Sequence, residues 1–120
     1  MSTTDIDKKL TEILIASTHM VVAVTLPDGT PWAVPLHIKR QEGNWFEWDS
    51  QLTSVHSQAV AAKSEVALTI FSIPLNLGFY AKATASLVSR REDGFGRYRA
   101  TVSEAWINES YTKRSVTLPL

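Results

Sequence analysis

The sequence has no cysteine, no net charge and no long apolar run. Without cysteine there is no disulfide, no thiolate metal site and no thiol nucleophile. That absence is compatible with the cytosol, and a cytoplasmic location is the expectation, although it is no proof. Twelve Lys and Arg balance twelve Asp and Glu, so no net field draws the chain to nucleic acid or to an anionic membrane. No uncharged stretch approaches the roughly 18 apolar residues of a spanning helix. The first residues, Met-Ser-Thr-Thr-Asp-Ile-Asp-Lys-Lys, contain no apolar run of signal-peptide length. No GxSxG, GxGxxG or Walker-type sequence occurs. His19, His37 and His56 lack metal-ligand spacing, so no metal is expected, and no pair of carboxylates stands out as an acid–base couple. Any chemistry in such a chain falls to a cofactor.

What is present is a single domain of 120 residues, long enough to bury about two-thirds of its unfolded surface. It is rich in aromatics, with four Trp, three Tyr and four Phe, and flat ligands stack on such surfaces. Thr4 to about Ala16 has helical spacing (Ile6, Leu10, Ile13, Leu14), with Thr4 as a cap and Asp5 and Asp7 in the first turn. Val21–Leu26 and Trp32–Lys39 are strands joined by the turn Pro27-Asp28-Gly29-Thr30. Pro31 and Pro35 cannot donate to a ladder, so the second of these strands has one unpaired side, an edge or a surface that meets another molecule. Further strands run from Trp45 to Asp49, Val66 to Phe71, Phe79 to Ser89 and Tyr98 to Ile107, and Arg114–Leu118 is a candidate terminal strand. Val66–Phe71 is apolar but for Thr69, which reads as a strand covered on both faces. Two helices and six antiparallel strands make a mainly β (α+β) fold. Strands of this length curl into a small barrel more readily than they stay flat with open edges.

The segment Ser50-Gln-Leu-Thr-Ser-Val-His-Ser-Gln58 links an aromatic strand to a short helix starting near Thr53. Ser50, Thr53, Ser54 and His56 there gather hydroxyls, an imidazole and the unpaired N–H groups of a helix start, which is the donor set a phosphate needs. The same residues also make an ordinary N-cap with a solvated histidine. Strand alternation puts Trp32, Val34, Leu36 and Ile38 on one face and Ala33, Pro35, His37 and Lys39 on the other. Lys39 ends its strand within reach of the same phosphate, and an edge-strand lysine that discourages aggregation reads identically. Phe46 and Trp48 share a core face, and Trp45, Glu47 and Asp49 face away from it. Ala81, Ala83 and Ala85 give one strand a row of small residues, fit for close approach of a helix or of a flat ring.

Taken in order, Pro-Asp-Gly-Thr, Ala-Val-Pro-Leu-His-Ile-Lys39, Asp49-Ser50, Thr-Ser-Val-His-Ser-Gln58, Val66-Ala-Leu-Thr-Ile, Tyr-Ala-Lys-Ala-Thr-Ala and Tyr98-Arg-Ala-Thr-Val-Ser-Glu-Ala-Trp106 resemble the pyridoxamine 5'-phosphate oxidase-like family of FMN-binding split β-barrels. The resemblance runs from about Val21 to Leu118. It implies a split barrel acting as a homodimer, FMN in a groove between subunits, and flavin-dependent oxidoreduction of a small-molecule substrate. It places Val34, Pro35, Leu36, His37, Ile38 and Lys39 along the flavin, Asp49 and Ser50 as the next contacting pair, and Ser54 and His56 at the phosphate. Trp106 and Arg114 are placed as late residues that reach cofactor across the dimer. The departures are Val34 where the true oxidase has an arginine, His56 where many relatives have lysine, and a short interval from Trp106 to Arg114. Pyridoxamine phosphate oxidation is therefore not the expected reaction. The rivals are a non-catalytic flavin-binding or sensing protein, and a binder of deazaflavin or haem in the same groove. A third is a single-strand-binding barrel that stacks bases on Trp45, Trp48 and Tyr98, against which the zero net charge argues.

Overall fold

The computed structural model describes residues 3–109 and 112–118, and the side chains of all of these except Thr3, Thr4, Ile6, Glu109 and Thr112. The expected roles of the Thr4 and Ile6 side chains lie outside that description. The chain runs α1 (Thr3–Ala16), β1 (His19–Thr25), β2 (Pro31–His37), β3 (Arg40–Glu42), β4 (Trp45–Gln51), α2 (Val55–Ala62), β5 (Glu65–Ser72), β6 (Leu77–Arg90), β7 (Phe95–Glu109) and β8 (Thr112–Val116).

The strands form one antiparallel sheet in the order β2-β1-β5-β6-β7-β4-β3, with β8 also paired to β7. The sheet has eight strands where six were expected. Arg-Gln-Glu (β3) is too short and too polar to show a periodicity, and β8 is the candidate terminal strand, two residues earlier than its expected start. β7 forks: its first half, Phe95 to Thr101, pairs with β4, and its second half, Ala105 to Glu109, pairs with β8. The sheet curls until the chain leaving β2 reaches β4, where the Lys39 N–H donates to the Glu47 carbonyl at 2.8 Å. This is a split β-barrel.

The core follows from the alternation. Phe46 and Trp48 on β4, Leu68 and Ile70 on β5, Phe79 on β6 and Ile107 on β7 are buried together, and Leu10 and Ile13 of α1 join them. Ala81, Ala83 and Ala85 are buried on the inner face of β6, where their small size lets α2 lie close.

Two expectations need correction. Val66–Phe71 is covered on one face alone, because among the described residues no second layer lies over the outside of the sheet. Ala67 is exposed, and so is Phe71, at 62%. The inner face of β2 is also less complete than its pattern implies, with Leu36 buried, Val34 and Ile38 half-buried and Trp32 46% exposed. β2 is an edge strand, as its prolines require.

Candidate functional site

β4 ends by turning Ser50 inward, where it is buried. The Ser54 N–H then donates to the Gln51 carbonyl at 3.1 Å, and the chain enters α2 with Ser54 as N-cap. The cap oxygen accepts the Ser57 N–H at 3.2 Å and its hydroxyl reaches Ser57 Oγ at 2.7 Å. The helix thus starts two residues beyond the expected Thr53, which is exposed and lends its carbonyl to Gln58 Nε2 at 2.9 Å. A serine with extended backbone and an oxygen facing the first turn is the better cap geometrically.

His56, in the first turn of α2, swings back toward the strand it came from. Its Nε2 lies 2.7 Å from Ser50 Oγ and 3.4 Å from Ser54 Oγ. Ser50, Ser54 and His56 therefore converge as the sequence suggested, and Thr53 does not join them. Burial holds the His56 imidazole below its ordinary value, so it is neutral near pH 7. The first N–H groups of α2 have no acceptor within the helix.

Next to this cluster Asp49 is held below the usual carboxylate range, first by its hydrogen bond from Arg97 and then by the charges of Arg97, Arg91 and Lys39. The charge of Lys39 is thus felt at Asp49, and the Lys39 N–H donates to the Glu47 carbonyl on the same strand at 2.8 Å. Asp49 itself is committed: Arg97 donates to both its oxygens and Arg91 donates at 3.1 Å.

One strand pleat away, Glu47 is 2% exposed, although its neighbours in sequence suggested an outward face. Arg99 Nη2 lies 2.7 Å from Glu47 Oε2, Arg97 Nη1 3.4 Å from Oε1 and Arg40 Nη1 3.7 Å from Oε1. The Arg99 guanidinium also covers the Trp45 ring at 4.1 Å from its centroid. None of these arginines was picked out from the sequence. The available signal was Glu47-x-Asp49 set against Arg97-x-Arg99, which the register Glu47↔Arg99 and Asp49↔Arg97 brings face to face.

The remaining expected residues lie elsewhere. Pro35 and His37 are on the exposed face of β2, and Val34, Leu36 and Ile38 on its inner face. Trp106 opens on a cleft of about 580 Å³ on the outside of the sheet, with Val21, Ala67 and Tyr80, and none of Ser50, Ser54 and His56 lines it. The Lys113 and Lys82 ammoniums lie 4.7 and 5.8 Å from the Trp106 ring centroid. Arg114 is paired with the buried Ile107, so it falls on the opposite face from Trp106. The cations beside this tryptophan are lysines.

No family model and no curated protein matches the sequence. Solved structures do. A protein of the pyridoxinephosphate oxidase family from Clostridium acetobutylicum, related to general stress protein 26, superposes with a TM-score of 0.84 over 97% of this chain and 96% of its own, at 9% identity. The chain has the pyridoxamine 5'-phosphate oxidase-like split-barrel fold. A pyridoxamine 5'-phosphate oxidase-related, FMN-binding protein from Nostoc punctiforme shares this fold at a TM-score of 0.73, covering 96% of each chain at 7% identity. A haem-binding protein from Mycobacterium smegmatis shares it too, at 0.77 and 14% identity, over 92% of this chain and 57% of that one. The split barrel is thus a scaffold for more than one flat cofactor, and the ligand has to be argued from the rim residues.

Proposed function

We propose that this chain is an FMN-binding split barrel that works as a homodimer and serves as a flavin-dependent oxidoreductase on a small molecule. One observation carries the reading: Ser50, Ser54 and His56 meet at the N-terminus of α2. These groups fit a phosphate. The two hydroxyls and the imidazole are donors that can exchange their mutual bonds for bonds to phosphate oxygens, and the helix start supplies positive potential. No arginine is needed for the fit, and Arg91 and Arg97 are occupied by Asp49.

Bound FMN supplies hydride or electron transfer, and the chain binds, orients and dries it. Edge strand β2, lacking amide donors at Pro31 and Pro35, offers the backbone of Val34–Lys39 to a flat ring. The homodimer is supported by the outside of the sheet, where Val21, Ala67, Tyr80 and Trp106 leave an apolar face open. The outward Ala67 and Phe71 of β5 make sense once a second copy covers that face.

FMN titration followed by flavin fluorescence tests the reading. Saturable quenching is expected, and His56→Ala and Ser54→Ala should each weaken binding by about 1–3 kcal/mol. Ser54→Ala should also lower folding stability by about 1 kcal/mol through the lost cap, so affinity is compared below both melting transitions. Unchanged affinity in both variants would remove this turn from the site. Bleaching of the bound flavin by NAD(P)H separates an oxidoreductase from a flavin carrier.

The pH dependence has a definite sign. The neutral imidazole of the free protein gains a dianionic neighbour when FMN binds, which raises its pKa, so binding takes up a proton. Wild-type affinity should therefore rise, relative to His56→Gln, as the pH is lowered from about 8 to about 6. The comparison with the glutamine variant cancels the phosphate's own protonation near pH 6. Parallel curves would show that the imidazole does not face the phosphate.

A further inference from the structure

The geometry points to a transition-metal site on the outside of the barrel, formed by His19 of β1 and His37 of β2 and taking a borderline divalent cation such as Zn²⁺. It uses none of Ser50, Ser54 and His56, although His37 lies on β2, the strand that the flavin reading also invokes. The two histidines are 18 residues apart, a spacing that suggested nothing, but β1 and β2 pair with His19 directly opposite His37. The Ile38 N–H donates to the Thr18 carbonyl at 2.8 Å. Thr18 and Ile38 are thus a hydrogen-bonded pair and the next pair along, His19 and His37, is non-hydrogen-bonded, the arrangement that brings cross-strand side chains closest.

The ring centroids are 5.1 Å apart, with planes at 50°. A Zn–N bond of about 2.0–2.1 Å puts the ion about 3.2 Å from each imidazole centroid. Two such vectors at a tetrahedral angle separate the centroids by about 5.2 Å, and at a right angle by about 4.5 Å. The observed spacing therefore suits tetrahedral chelation without backbone movement.

Thr18 supplies the supporting contact, its Oγ1 2.8 Å from His19 Nδ1. With Nδ1 donating its proton to that oxygen, the Nε2 lone pair is left for the metal. Both imidazoles are exposed, so a cation has a path in. Among the described residues no third His, Cys, Asp or Glu completes a cluster with them. The other coordination positions fall to water or to an incoming ligand, the open arrangement of a site that binds rather than one that only staples the fold.

The test is a Zn²⁺ titration of the untagged protein by calorimetry, with a competing chelator. One Zn²⁺ per chain is expected. Because the second imidazole binds at a high effective concentration, His19→Ala and His37→Ala should each weaken Zn²⁺ by more than tenfold, leaving a lone monodentate imidazole. Thr18→Val should weaken it by about tenfold through loss of the tautomer-fixing contact. Equal Zn²⁺ affinity in wild type and the two alanine variants would overturn the site, as would two weak sites per chain that fall to one in each variant, which describes two unrelated surface histidines. The positions are exposed, so folding of the variants is not at stake, and circular dichroism verifies it.

Discussion

Glu47→Ala should lower folding stability by about 3 kcal/mol, the lower part of the range for removing one partner of a buried ion pair. The carboxylate is 2% exposed and sits among the guanidiniums of Arg99, Arg97 and Arg40. Its loss strands positive charge at the point where β3, β4 and β7 meet. Arg97 and Arg99 keep 27% and 35% of their side chains in water, so they remain solvated in part and the loss does not reach the upper end. Arg99 also loses the anchor that holds it over Trp45. In a chain of this size about 3 kcal/mol lowers the melting temperature by roughly 10 °C. Glu47→Gln keeps the shape and one acceptor and should cost less. Chemical denaturation of Glu47→Ala, Arg99→Ala and the double variant gives the coupling, expected at more than 1 kcal/mol. A loss under 1 kcal/mol in Glu47→Ala would mean that the carboxylate is effectively solvated.

Glu47 also marks where sequence and structure part company. Alternation along Trp45–Asp49 assigned faces correctly, and Phe46 and Trp48 are core. A charged residue on the other face reads as solvated. What buries Glu47 is its partner strand, β7, some 50 residues later, and single-strand periodicity carries no information about pairing partners. The rim was more legible, because Ser50, Ser54 and His56 lie within one strand–turn–helix unit whose geometry is local. Even there the position of the cap, Ser54 rather than Thr53, was decided by backbone torsions that either residue type accepts. The His19–His37 pair was invisible for the same reason as the arginine clamp: cross-strand register creates it. The small-residue row on β6 and the proline-marked edge of β2 were legible because each excludes a neighbour or an amide donor by covalent structure alone. Arg114 shows the converse. Strand alternation puts it on the face opposite Trp106, and Lys113 is the cation over that ring, which single-strand periodicity in so short a segment does not show.

The second large effect concerns the outer face. Ala67→Glu should leave the barrel folded, make it monomeric and reduce FMN affinity by more than a hundredfold. Ala67 lies on the exposed side of β5, opposite Ala23 on β1 and Lys82 on β6. In the monomer the introduced carboxylate is solvated and adjacent to the Lys82 ammonium, so the fold loses no more than a surface substitution takes, about 0.5 kcal/mol. In a twofold dimer the face packs against itself, and each copy brings its own carboxylate into an apolar seam. Burying two such groups, each with at best a strained partner, costs at least about 4 kcal/mol, or roughly a thousandfold in the dimer dissociation constant. Sedimentation velocity reads the assembly and flavin fluorescence the affinity, on the same samples. The pairing of outcomes is what discriminates. Loss of both places the flavin where two chains meet, with the rim of one copy facing the Trp106 cleft of the other. A monomer that still binds FMN with wild-type affinity confines the flavin to β2, Lys39 and the α2 turn of a single chain. A variant that stays dimeric moves the interface off the β1–β5–β6 face altogether.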